Sequence, residues 1–250
     1  MALARKLSLC LVLLLGVSLH AQTPFASGLR VLHVDPTRLS PGHFVYEAVL
    51  EHDITGTSIG TRSMTATRTT YGGVNAWLLV ESKSSDMVPG LDSLFADLTT
   101  LRPMHWSSTI GRAHLGLEFR NDSAFGGATA PTGQRSVMAA VPSGAMVNAG
   151  MLEMVLRTLP LHPGWEDSTT TLSVSLAGVA AVPARLAVIG EDNVRVPAGQ
   201  FDCWVVSVRT ADTRGMYWVT KTDPIIVRSA LDVPGLNGAQ YVSSLTQVVR

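Results

Sequence analysis

Cys203 stands directly before Trp204, an order shared with papain-like proteases, in which a thiolate at a helix start is activated by histidine. Here the pair runs into Val205, Val206 and Val208, which is strand material. The helix terminus that lowers a thiol pKa is therefore missing, and Cys203 is expected to be a buried strand cysteine. Asp53-Ile54-Thr55-Gly56 and Asp212-Thr213-Arg214-Gly215 approach the Asp-Thr-Gly loop of aspartic proteases, whose two carboxylates share a proton. Neither keeps the tripeptide, and both read as hairpin turns.

His33, His43, His52, His105, His114 and His162 never fall at the His-Glu-x-x-His spacing, and none adjoins a cysteine, so no metal is expected. His43, Glu47 and Glu51 share one strand face, which a solvated surface explains. A hydrolase with a dispersed site would have to use His43 with Glu47, or His105, in a polar cleft. No Gly-x-Ser-x-Gly elbow, Ser-x-x-Lys motif, Walker loop or dinucleotide fingerprint occurs, so no cofactor is expected either. Asn121-Asp122-Ser123 reads as a turn before Phe125-Gly126-Gly127.

The elements that must position any site show in the apolar pattern. Phe44, Tyr46, Ala48 and Leu50 alternate with polar positions that include Glu47 and Glu51. Ala113, Leu115, Leu117 and Phe119 alternate with Arg112, His114, Glu118 and Arg120, and Leu172, Val174 and Leu176 with Thr171, Ser173 and Ser175. A period of two with one dry face is that of a half-buried strand in an antiparallel sheet. Residues 58–70, 75–82, 184–189, 201–209, 216–221, 224–230 and 241–249 are rich in β-branched and aromatic types and also read as strands. Tyr71-Gly72-Gly73, Pro197-Ala198-Gly199, Thr213-Arg214-Gly215 and Asn237-Gly238 supply turns. Met151, Leu152, Val155, Leu156 and Leu159, spaced by threes and fours before Pro160, predict a short amphipathic helix over 148–159, and the small residues of 133–144 read as a loop. The expected fold is mostly β: a single antiparallel, strongly curved sheet or half-open barrel with one short amphipathic helix.

The chain opens with Arg5 and Lys6, an apolar run from Leu7 to Val17, and Ala21 before Gln22, the order of a signal peptide over 1–21. Leu9 before Cys10 argues against a lipid-modified cysteine. The apolar run falls short of the ~20 residues that span a bilayer, so cleavage and a soluble mature chain are expected. Residues 22–40 then form a lead-in and 41–250 one β-rich domain. Losing Arg5 and Lys6 leaves 17 of the 19 basic residues against 19 acidic ones, a net charge of −2. With no basic run, nucleic acid is excluded as a partner. Cys10 leaves with the signal, Cys203 remains alone, and no intramolecular disulfide can form.

The phrases Val194-Arg195-Val196-Pro197-Ala198-Gly199-Gln200-Phe201-Asp202-Cys203-Trp204, Tyr217-Trp218-Val219-Thr220-Lys221 and Ile226-Val227-Arg228 form a cadence, with Leu98-Thr99-Thr100-Leu101-Arg102-Pro103 and Leu159-Pro160-Leu161-His162-Pro163-Gly164 upstream. Over most of 40–248 the chain resembles a family of uncharacterised bacterial exported proteins, a domain of unknown function akin to the lipoprotein-carrier half-barrels. The resemblance implies a curved sheet that closes around an apolar groove, and residence in the periplasm or outside the cell; it brings no catalytic residues. The expectation is a non-enzymatic envelope module that binds an apolar small molecule, a lipid or a partner segment. Trp77, Leu79, Trp106, Leu115, Leu117, Met151, Val155, Trp204 and Trp218 are the candidate lining. The alternatives are a structural or assembly protein with a filled core, partnered by another envelope protein, and the dispersed-site hydrolase.

Overall fold

Alternation becomes strand wherever the sequence shows it. The computed structural model describes residues 32–53, 55–84, 89–141, 145–175, 178–211, 213–236 and 238–250. The segment 1–21, expected to be a signal peptide, lies outside them, as do Leu176 and, of the expected turns, Ile54, Asp212 and Asn237. The strands are β1 (Gly42–His52), β2 (Thr55–Tyr71), β3 (Val74–Ser84), β4 (Gly90–Asp97), β5 (Pro103–Ile110), β6 (Ala113–Arg120), β7 (Ser123–Ala130) and β8 (Gly133–Ala140). The two-residue β9 (Met146–Val147) leads into helix α1 (Asn148–Leu156), and β10 (Glu166–Ser175), β11 (Gly178–Val196), β12 (Gly199–Arg209), β13 (Arg214–Thr220), β14 (Ile226–Asp232) and β15 (Gln240–Val249) complete the chain.

All ten strands legible in the sequence are present. The stretch 133–144 is a correction: its first part is strand β8, paired with β7 along its whole length. Pairing supplies what its Gly, Ala and Ser residues lack in strand propensity: the ladder to β7 and the buried Val137 hold a strand whose other side chains are mostly exposed. Gly72 and Gly73, both at positive φ, make the two-residue turn between β2 and β3 that a residue with Cβ adopts poorly.

The strands form one sheet in the order β8-β7-β6-β5-β4-β3-β2-β1-β15-β14-β13-β12-β11-β10-β9. Every pairing is antiparallel except the short β9–β10 contact. Two meanders, β1 to β8 and β10 to β15, thus meet where β1 pairs with β15. The sheet curls until β8 lies within 8 Å of β11 in Cα distance, yet the two do not pair, and it stays open.

Helix α1 sits inside this curl. Nine residues are too few for a stable isolated helix, so packing must hold it. Residues 151–159 are buried without exception, Glu153, Arg157 and Thr158 included. The periodicity that predicts an amphipathic helix therefore describes only part of its environment: the polar flank is inside too, and its groups find partners there. Arg157 donates from Nε to the Pro224 carbonyl (2.7 Å), and its guanidinium lies 5.0 Å from the Phe44 ring centre. Residues 32–40 dock on the end of this segment through the Asp35 amide, which donates to the Thr158 carbonyl, with Leu32 and Leu39 buried.

Candidate functional site

Seven of the nine candidate lining residues come together. Trp77, Leu79, Trp106, Leu115 and Leu117 from the sheet and Met151 and Val155 from α1 belong to one core, none more than 6% exposed. In register, Leu79 faces Leu94, Leu94 faces Trp106 and Trp106 faces Leu117, a continuous row across four strands. A residue lining an empty groove keeps surface open to a water-sized sphere; these do not. The void beside α1, lined by Leu32, Leu101, Met146, Met151 and Val155 among others, holds about 30 Å³, far below the roughly 300 Å³ or more of a pocket for an organic ligand.

Trp204 and Trp218 are placed differently. Trp204 pairs with Val219 and Trp218 with Val205, and successive residues of a strand point to opposite faces, so the two indoles lie on opposite sides of the sheet. Both are half-buried at the margin of the core. Lys221 Nζ lies 4.6 Å from the Trp204 ring centre and pairs with Glu191. Trp218 donates from Nε1 to Asp192 (2.9 Å) beneath the Arg228 guanidinium. At most one of them can face the interior that the other seven fill.

The interior also holds a charge cluster that sequence reasoning missed. Arg62 on β2 donates from Nε to Glu81 on β3 (2.8 Å) and from both terminal nitrogens to the two carboxylate oxygens of Glu153 on α1 (2.9 and 2.8 Å). Their side chains are at most 5% exposed. Lys83 approaches Glu81 (3.3 Å) and Asp92 (3.5 Å), and the Tyr46 ring centre lies 5.1 Å from the guanidinium. Burial pushes the Glu153 carboxyl above its ordinary value, and the Arg62 charge offsets this only in part. Burial acts on Glu81 as well, but there Arg62 and Lys83 together prevail and hold the carboxyl low. The signal was present in the sequence: Arg62 shares its parity with the core residues Met64 and Ala66, and Glu81 with Trp77 and Leu79. A charge at an inward position must be paired to be tolerated. This cluster fastens helix to sheet, and it reaches the surface at Lys83.

The remaining candidates are surface or strand features. Cys203 is buried in β12, and burial followed by the charges of Asp192 and Asp202 pushes its thiol up to about 12, the reverse of an activated nucleophile. His105 and Tyr71 both bond Oε1 of Glu118, each at 2.7 Å; their rings stack on each other, and Phe95 lies tilted against both. All four are half-buried on the sheet face opposite Trp106 and Leu117. His43 bonds Thr65 (2.8 Å), while Glu47 is exposed. Among the described residues no three His, Cys, Asp or Glu side chains gather as a metal site would require, and no helix is long and apolar enough to cross a membrane.

A search of curated proteins finds no match. The sequence profile of one family does match, over residues 46–238, which span β1 to the turn before β15 and so take in both meanders and α1. By that match the chain belongs to the family described as protein of unknown function (DUF3108).

Proposed function

We propose that this protein is an exported, non-enzymatic module of the cell envelope, with an interior filled by its own helix, which acts through its outer surface on another envelope protein. The observation that carries the reading is the seat of α1. Met151 and Val155 occupy the space that an apolar guest would need, and the Arg62 clamp holds them there. Cargo carriage inside the sheet would require α1 to leave and expose a row of buried aromatic and aliphatic side chains, each worth about 1.5–3 kcal/mol of burial. Export is supported by the basic, apolar and small-residue order of residues 5–22.

The test is native mass spectrometry of the full chain produced in a bacterial host and recovered from the envelope fraction. A bare mass that begins at Gln22 is the expected result. A reproducible apolar adduct, lost when bulky residues replace Leu115 or Leu117, overturns the filled-interior reading in favour of a carrier. Recovery from the cytoplasm with residues 1–21 attached overturns export.

A further inference from the structure

The sequence has no basic run, yet the register builds a basic row. Arg185 on β11 stands directly opposite Arg209 on β12, and Arg209 stands directly opposite Arg214 on β13. Cross-strand partners share a face, with Cβ atoms about 5 Å apart. Ala184, Leu186 and Val208, the strand neighbours of these residues, are buried, so the three arginines point away from the core; all three are exposed. Like charges directly opposite one another destabilise a sheet. Three in a row at surface positions where almost any polar residue fits is therefore a cost without a structural return.

Little compensates for it within the described residues. Glu166 pairs with Arg185 at 2.6 Å. Arg209 has only a long bond from Nε to the Ser207 hydroxyl (3.4 Å), and no described acid lies within ion-pair distance of Arg209 or Arg214. Asp167 takes the Ser168 amide, and Asp232 takes the Gln240 side chain. Beside the row the surface dips into an open depression of about 440 Å³, lined by Arg185, Arg209, Ser168, Glu166 and Asp167 with Pro183 and Ala184. Ser168 faces Arg185 in register and adds a hydroxyl donor on the same side.

We infer that the row Arg185, Arg209 and Arg214 is an anion site for a phosphate group. A guanidinium fork presents paired donors that match the oxygens of a phosphate, and adjacent forks can share one such group and neutralise their mutual repulsion on binding. The phosphate can belong to a small soluble molecule or to a lipid headgroup; the recognition chemistry is the same, and it is independent of how the interior is filled.

Calorimetric titration of the purified protein with inorganic phosphate at constant ionic strength tests the soluble source. Flotation with phosphatidylcholine vesicles, with and without phosphatidylglycerol, tests the headgroup source. The expected result is saturable binding in at least one arm, weakened tenfold or more in the Arg209→Gln/Arg214→Gln variant while its thermal midpoint is unchanged or raised, since a repulsion has been removed. Binding in neither arm, or equal binding by the variant, overturns the inference. If that variant does not fold, Arg209→Lys/Arg214→Lys decides: it keeps the charge without the fork, and undiminished affinity there overturns the assignment.

Discussion

Arg62 answers two carboxylates with one guanidinium, and its geometry is the bidentate arrangement in which an ion pair gains most. Removing one member of a buried pair costs more than the pair contributes, because the partner is left charged and dry. Arg62→Ala is therefore expected to lower unfolding free energy by about 3–5 kcal/mol, whereas Arg62→Met combined with Glu153→Leu costs clearly less. Urea denaturation of both variants measures the difference, and an equal or larger loss in the double variant would show that a stranded Glu153 charge is not what the single substitution costs. At the surface, Asp97 Oδ1 accepts the amides and hydroxyls of Thr99 and Thr100 and thereby shapes the turn that leads to Leu101, a core residue held at positive φ. Burial opposes the shift, but these bonds outweigh it and hold the Asp97 carboxyl below its ordinary 3.8. A depressed folded-state pKa contributes stability that is complete above 3.8 and is lost as the pH falls through the folded value. Asp97→Asn should accordingly lower the urea midpoint at pH 7 and leave it unchanged at strongly acid pH.

At the scale of elements, the Gly/Ala strands β7 and β8 show how pairing overrides propensity. A Cβ at Gly126 would stand 1.9 Å from the Gly116 carbonyl oxygen of the neighbouring strand, so the two backbones approach as only glycine permits. At Gly127 the closest atom to such a Cβ is the Arg135 carbonyl oxygen at 3.5 Å, an ordinary contact. Gly126→Ala is thus expected to lower stability by roughly 2 kcal/mol or more, in the range of an overpacked site, while Gly127→Ala stays within about 0.5 kcal/mol. Thermal unfolding of the two variants side by side separates the steric cause from the general cost of handling glycine. Helix α1 follows the same logic: too short to form alone, it exists because Met151, Met154, Val155 and Leu156 are covered by the sheet.

For the molecule as a whole, the decisive ladder is β1 with β15. It joins the two meanders, and its partners run from His43 with Val249 to Glu51 with Gln240. The last strand in sequence is thus the central joint of the sheet, bonded on its other side to β14, where the Ser229 and Ser243 hydroxyls meet at 2.8 Å. Deleting residues 240–250 would expose two unpaired interior edges together with the core under Leu245, so global unfolding is expected rather than local fraying. Circular dichroism and proteolysis of the truncated chain report which occurs, and retained protease resistance would mean that each meander folds alone.

Periodicity and turn chemistry are local, and they settled what is local: ten strands, the dry faces around Phe44 and Leu115, the helix near residue 150, the Gly72-Gly73 turn, and Cys203 as a buried strand residue. The strands of small residues were invisible because their stability lies in backbone bonds to neighbours, which leave no pattern in side-chain type. The charged interior was half legible, since inward parity marked Arg62 and Glu81, but nothing local pointed to Glu153, 91 residues from Arg62. Only tertiary structure decided that α1 fills the curl, that Trp204 and Trp218 lie on opposite faces, and that Arg185, Arg209 and Arg214 align. The physical reason is common to all three. Strand register and the seat of a helix are fixed by loop lengths and by the fit of the whole core together, and not by any segment read alone.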